Sequence, residues 1–511
     1  MVATSQALAS EAAIAILRRG GHAIDAAVAA AAVLAVVEPQ ATGIGGDCFV
    51  LYVPGGSGDV IAYNGSGRAP MAAGCDWYRQ QGFTAMPERG VHSVTVPGAI
   101  DAWCRLVEDH GRLTMAELLA PAIRYAAEGY VVGDRIATDW KACVPLLAAD
   151  PAAARIFLPE GRAPSAGTRH RQPELAETLR AIAKKGRAGF YEGPVAADIL
   201  ACLKSGGGLH AAEDFAAAAG EYVEPIRTTY RGVEVAQIPP GNQGLTALIL
   251  LNILGNFDLA GLDPVGAERL HLETEAARLA FRDRNRFIGD PRHVAVPVEA
   301  LLSPDYARKL AALIDPAQAM VDLPPPLLNR SDTTYLCVVD RDRNAVSFIN
   351  SIYRPFGSGV VAPESGIVLQ NRGASFNLDS EHANGIAGGK RPMHTIMPGM
   401  ALKGGRALMP FGVMGGDYQP VGQAHVLSNL LDFACDPQEA IDLPRVFHNG
   451  QAIEVERGVP PRAIAGLIAR GHAVHAVDPP HGGGQMILID HDAGTLTGAS
   501  DPRKDGCALG Y

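Results

Sequence analysis

Apolar positions recur at helical spacing through the first third of the chain. The pattern predicts a helix capped by Thr4 or Ser5, running to about Arg19 and ended by Gly20-Gly21. Asp25 opens a second, alanine-rich helix that stops near Pro39, and its many small side chains suit tight helix packing. Gly43-Ile44-Gly45-Gly46-Asp47 follows, then a strand over Cys48 to Val53. The segment lacks the third glycine of a dinucleotide fingerprint, so its glycines read as a tight turn. Leu118 to Glu128, Glu174 to Lys185, Leu245 to Leu254 and Ala267 to Phe287 carry further helical patterns.

The texture changes between Val321 and Asp332, where Pro324-Pro325-Pro326 excludes helix and disfavours strand. Strand patterns then come quickly, over Thr334 to Asp340, Ala345 to Ile349, Gly366 to Leu369 and Gln485 to Ile489. Helical spacing returns at Gln423 to Ala434 and Arg462 to Arg470. A helix-rich first part thus meets a strand-rich second part at a proline-rich loop. No repeat or low-complexity tract interrupts either.

Composition narrows the class. The 511 residues are 48% apolar and 19% charged, which specifies a globular chain with a large core. The net charge of −10 argues against nucleic acid or an anionic membrane as partner. Eight scattered cysteines with no C-x-x-C give no support to a zinc or dithiol site; they read as free thiols of a reducing compartment. Met1 to Gln6 lacks the basic start and apolar core of a signal peptide, and Ala26 to Val37 is too short to span a bilayer. The expectation is a cytoplasmic protein without metal or cofactor.

Candidate chemistry centres on the junction, Ser331-Asp332-Thr333-Thr334-Tyr335-Leu336-Cys337-Val338-Val339-Asp340. Two threonines opening a strand reflect propensity alone unless other segments agree. They do agree. Thr333 to Asp340 with Asn344-Ala345-Val346-Ser347 resembles the start of the small subunit of gamma-glutamyltransferases. Met1 to Gly46 resembles that family's N-terminal signature. Val96-Pro97-Gly98, Gly357-Ser358-Gly359, Glu364-Ser365-Gly366-Ile367, Lys390-Arg391-Pro392, Gly415-Gly416 and Gly498-Ala499-Ser500-Asp501-Pro502 match in order. Each motif is weak, and the ordered set is specific.

The resemblance implies an α+β fold, the four-layer αββα sandwich of N-terminal-nucleophile hydrolases, with a large subunit 1–332 and a small subunit 333–511 forming one domain. It also implies self-cleavage between Asp332 and Thr333. The Thr333 hydroxyl would attack the Asp332 carbonyl, and water would then free Thr333 as a new N-terminus. Its α-amine, ordinarily near pKa 7.7–8.0 (about 8), then serves as base for its own hydroxyl. Ser351 falls where the family has a hydroxyl bonded to the nucleophile; read alone it is a surface strand serine. Gly415 and Gly416 fall at the oxyanion hole; read alone they are a plain turn. His481-Gly482-Gly483-Gly484 mimics a lipase oxyanion motif, but no G-x-S-x-G elbow exists, so it reads as a loop.

The groups that read glutamate in this family depart here. Ser66 stands at the position of the arginine that holds the α-carboxylate, and Ser375 at the position of an acid that holds the α-amine. Tyr353 replaces an asparagine, and His394-Thr395 replace a serine pair. Asn371 and Arg372 precede Ser375, and Arg372 brings a cation suited to a carboxylate; read alone it is a solvated loop arginine. The lid looks shortened, with 13 residues between Phe376 and Lys390. These changes suit a small amide that carries a carboxylate but no α-amino group. NGSGRAP, LQNRGASF, KRPMHTIMP and FGVMGGDYQP are similar to the oxamate amidohydrolase branch, which implies oxamate cleavage to oxalate and ammonia in purine breakdown. Alternatives are a gamma-glutamyl hydrolase or transferase, a β-lactam side-chain acylase, and a non-catalytic relative.

Overall fold

The computed structural model describes residues 1–321 and 333–511. Asp332 and the proline run therefore lie outside the described residues.

Two antiparallel sheets form the centre. The first takes β1 (Val2–Thr4), β2 (Asp47–Val53), β3 (Ile61–Gly65) and β4 (Glu221–Val223) from before the junction. From after it come β7 (Thr334–Val339), β8 (Ala345–Ser351) and β13 (Cys507–Leu509). The strand order is β13-β1-β7-β8-β2-β3-β4. The second sheet contains β5 (Ile226–Tyr230), β6 (Val233–Gln237), β9 (Gly399–Lys403), β10 (Arg406–Met414), β11 (Gly483–Asp490) and β12 (Thr495–Ser500). Its order is β12-β11-β10-β9-β6-β5.

Strand periodicity explains the layering. In β7, Tyr335, Cys337 and Val339 point into an apolar layer shared with Met400, Leu402 and Ile487 of the second sheet. Leu336 and Val338 point the other way, onto helices α1 (Ala7–Arg18) and α2 (Ala23–Val37). The outer face of the second sheet (Val235, Phe411, Val413) packs on α6 (Gly244–Leu254) and α7 (Ala267–Phe287). Between α2 and α6 in the chain lie, among other helices, α3 (Ala99–His110), α4 (Met115–Glu128) and α5 (Pro173–Lys185). Three apolar cores separate four layers, the αββα sandwich that the resemblance implied. Strands buried on both faces also explain why β7 and β8 read as nearly continuous apolar runs.

The expected elements stand within a few residues, with three corrections. The first helix is capped by Gln6, whose side chain accepts from the Leu8 N–H, and not by Thr4 or Ser5. Thr4 is in β1, and the Ser5 hydroxyl donates to the Glu38 carboxylate at 2.8 Å. Asp25 does not open α2; it sits in the first turn and closes a capping box with His22. Gly483 and Gly484 are not a loop; they begin β11 and pair with Met414 and Val413. The two parts are joined in space, because each sheet takes strands from both sides of the junction.

All eight cysteines are free thiols. Among the described residues no helix is long and apolar enough to cross a membrane.

Candidate active site

Thr333 is fully buried, one residue before β7. Its Oγ1 lies 3.1 Å from Ser351 Oγ at the end of β8, the neighbouring strand. Ser351 is buried too, and its Oγ accepts from the Tyr353 N–H at 2.8 Å. The surface reading of Ser351 is thereby excluded. Tyr353 is held at φ +80°, a left-handed conformation that costs a bulky residue energy and that persists only under surrounding constraint.

The Tyr353 ring carries the Arg372 guanidinium 4.1 Å above its centroid. Arg372 is completely buried, not solvated. Its Nη1 donates to Thr395 Oγ1 at 2.9 Å, while Nε and Nη2 find no hydrogen-bond partner among the described residues. Burial lowers its pKa to about 10, which still leaves a cation at neutral pH. A buried cation with undonated N–H groups is costly unless an anion arrives to accept them.

Gln243 joins this group to the Gly-Gly turn. Its amide donates to the carbonyls of Thr395 at 2.6 Å and Gly416 at 2.8 Å. Gly415 has φ +122°, and a Cβ there would sit 2.8 Å from Gly482 Cα, so glycine is required. The turn Gly416–Tyr418 leads directly into α8 (Gln419–Leu431), which places Gly415 and Gly416 just before a helix N-terminus. A continuous line of contacts therefore runs Thr333, Ser351, Tyr353, Arg372, Thr395, Gln243, Gly416.

A cavity of about 160 Å³ opens beside that line, bordered by Tyr353, Ser375, Met393, Arg284 and Asp417. Arg284 Nη1 donates to Asp417 and, at 2.9 Å, to Gln243 Oε1. The Ser375 hydroxyl contacts the carbonyls of Arg372 at 2.9 Å and Met393 at 2.8 Å, so it pins the loop. Asn371 likewise ties loops together, donating to the Glu88 carbonyl at 2.7 Å and accepting from the Arg354 N–H at 3.1 Å. Ser66 bonds Asn64 at 2.6 Å, one residue beyond β3.

His394 Nε2 lies 2.8 Å from Asp47 Oδ2, and its Nδ1 lies 2.7 Å from the Pro392 carbonyl. Burial pushes the imidazole below its ordinary pKa, and Asp47 pulls it up. Asp47, Gln243, Arg284 and Asp417 were not singled out from the sequence as site residues. The available signal was charged residues beside glycine pairs, in GIGGD and MGGDYQP.

Among the described residues, His271, Glu275 and His472 could offer metal ligands. His271 Nδ1 and His472 Nε2 are 2.7 Å apart, a hydrogen bond, and shorter than the roughly 3.3 Å between two nitrogens on one tetrahedral zinc.

Known proteins match this chain along nearly its whole length. The gamma-glutamyltranspeptidase family profile matches residues 9–511. The glutathione hydrolase-like YwrD proenzyme of Bacillus subtilis (strain 168) is 41% identical over 520 residues, covering all of this chain and 98% of that protein. The oxamate amidohydrolase proenzyme of Klebsiella pneumoniae is 38% identical over 524 residues, 99% of this chain and 97% of that one. Among solved structures, the cephalosporin acylase from Bacillus halodurans superposes with a TM-score of 0.93 at 42% identity, over 100% of this chain and 96% of that one. These relatives are proenzymes and acylases, so the sandwich, the buried threonine and the ordered motifs have one explanation: the chain belongs to the gamma-glutamyltranspeptidase family of N-terminal-nucleophile hydrolases.

Proposed function

We propose that the protein cuts itself between Asp332 and Thr333 and that the mature enzyme hydrolyses a small amide bearing a carboxylate and no α-amino group, with oxamate as the leading substrate. The products are chains 1–332 and 333–511, folded as one domain. In the first step Thr333 Oγ attacks the Asp332 carbonyl carbon, the C–N bond breaks, and the nitrogen takes the hydroxyl proton. Water hydrolyses the resulting ester, leaving a carboxyl group on Asp332 and a free amine on Thr333.

In catalysis the Thr333 amine accepts the hydroxyl proton as Oγ attacks the substrate amide. The N–H groups of Gly415 and Gly416 hold the oxyanion. The amine returns the proton to the departing ammonia, and water releases the acid from the acyl ester. Ser351 orients Thr333. Arg372 receives the substrate carboxylate, with Tyr353, Thr395 and His394 fixing its surroundings. Ser66, Asn371 and Ser375 shape the loops around them.

One observation carries this reading: the buried Arg372 guanidinium keeps Nε and Nη2 undonated, two contacts away from Ser351 through Tyr353. Those groups suit a carboxylate bound bidentately. The oxamate amidohydrolase relative supports the substrate; the cephalosporin acylase keeps a bulkier acyl amide in view as a second reading, favoured by the 160 Å³ cavity.

The test sets ammonia release from oxamate beside hydrolysis of a γ-glutamyl anilide and of a glutaryl amide. Turnover of oxamate with little on the anilide supports the proposal. Turnover of the anilide alone overturns it, and turnover of the glutaryl amide alone moves the enzyme to the acylases.

A further inference from the structure

Gln243 stands one residue before α6, carries no charge and is fully buried, yet its side chain ties the two ends of the site together. Its backbone is fixed first. The Gln243 N–H donates to the His394 carbonyl at 3.0 Å, and the His394 N–H donates to the Gly241 carbonyl at 2.8 Å. Asn242 and His394 pair there as an isolated parallel bridge.

The amide then points only one way. Oε1 accepts from Arg284 Nη1 at 2.9 Å, and a guanidinium only donates. Nε2 donates to the Thr395 carbonyl at 2.6 Å and the Gly416 carbonyl at 2.8 Å, and a carbonyl only accepts. A flipped amide would set its oxygen against two carbonyls and its nitrogen against a cation. Both hydrogens of Nε2 are therefore committed.

The consequence is a fixed spacing. Thr395 Oγ1 holds Arg372 Nη1 at 2.9 Å, so one N–H of Gln243 anchors the residue that supports the Arg372 guanidinium. The other anchors Gly415-Gly416, where φ angles of +122° and +60° mark a flexible backbone with no side chain of its own to steady it. Tyr418 and Gln419 bond that turn from within, through the Gly415 and Gly416 carbonyls; Gln243 reaches it from another element. Two hydrogens on one nitrogen hold the Thr395 and Gly416 oxygens about 5 Å apart.

We infer that Gln243 is a positioning residue that sets the spacing between Arg372 and the oxyanion turn, and so selects carboxylate amides by the length of the chain between carboxylate and amide. This rests on the proposed function, in which the carboxylate meets Arg372 and the oxyanion meets Gly415 and Gly416. In oxamate the two carbons are bonded directly, so no torsion changes their separation. A displacement of about 1 Å then costs on the order of a hundredfold in rate. Each added methylene supplies a torsion that absorbs the error.

The test is a length series, oxamate, malonamate and succinamate, with kcat/KM measured for each. Wild type should favour one length, oxamate on the proposed reading, by at least about tenfold. Gln243→Met keeps the reach of the side chain and removes its three hydrogen bonds. It should cut kcat/KM for oxamate by at least about tenfold, the scale of the bonds lost, and for succinamate by much less. Gln243→Glu keeps the contact with Arg284 but turns a lone pair toward both carbonyls, and it should flatten the profile in the same way. Thermal melts confirm that each variant folds. Equal losses across the series, or no loss, overturn the inference, because a purely structural role lowers all three alike. The wild-type series tests it without any variant: equal kcat/KM at all three lengths overturns it. Wild type inactive on the whole series overturns the substrate reading and the inference with it.

Discussion

Thr333 Oγ1 and Ser351 Oγ meet at 3.1 Å because β7 and β8 are adjacent antiparallel strands, with Thr334 paired to Asn350. The bond is a product of strand register, since the two residues are 18 apart in sequence. A slip of one residue would turn Ser351 to the opposite face and break it.

Thr333→Ala should leave a single full-length band on a denaturing gel where wild type gives two. Ser351→Ala should still cut, but at least about tenfold more slowly, the scale of removing one partner of a buried hydrogen bond. A wild-type protein that folds and never yields two bands would falsify the self-cleavage proposal.

Arg372→Met should separate binding from stability. The KM for a carboxylate-bearing amide should rise by about 10–100-fold as the charge-assisted contacts disappear, with a smaller change in kcat. Melting temperature should hold or increase, because the variant removes a buried charge whose Nε and Nη2 lack partners. A clear fall in melting temperature with KM unchanged would show Arg372 to be scaffold.

Gly415→Ala should be destabilising by about 1–3 kcal/mol, since it combines a left-handed backbone with a close contact. The contact is fixed: the new Cβ would lie 2.8 Å from Gly482 Cα, at φ +122°. Denaturant unfolding measures the loss. A melt and activity equal to wild type would mean that the turn relaxes freely.

Acid should weaken the fold well before the carboxylates titrate. Burial depresses the imidazoles of His170 and His425 to about 4. His472 falls to about 3, through burial and then the neighbouring His271. A lowered folded pKa means the unfolded chain binds protons first. This contribution to stability is therefore full above about pH 6.5 and is lost as pH falls toward 4. Calorimetry across pH 7.5 to 4.5 should show a falling melting temperature, flattened in His425→Gln. A melting temperature independent of pH in that window would contradict the assignment.

The sequence by itself determined most of the elements and, through the family resemblance, the four layers. Apolar spacing placed α7 over Ala267–Phe287 as observed, and β7 to within one residue, because burial on one stripe or both faces leaves a periodic trace. Ordered motifs located Thr333, Ser351 and Gly415-Gly416, since each lies in a local turn or strand whose chemistry is written in neighbouring letters. Helix starts were misread by a few residues, because which side chain caps depends on competing partners; the Ser5 hydroxyl is drawn to Glu38.

Only the tertiary structure decided what surrounds Thr333. A solvated and a buried Arg372 look identical in sequence, and the difference rests on Tyr353 and Thr395, which come from separate loops. Asp47 and His394 are 347 residues apart and meet only in the fold. Gln243 is legible as neither core nor catalyst until the carbonyls of Thr395 and Gly416 converge on it. Local pattern encodes secondary structure because its causes act within a few residues. Charge state and substrate fit arise from groups that only folding brings together, so no stretch of the chain carries them alone.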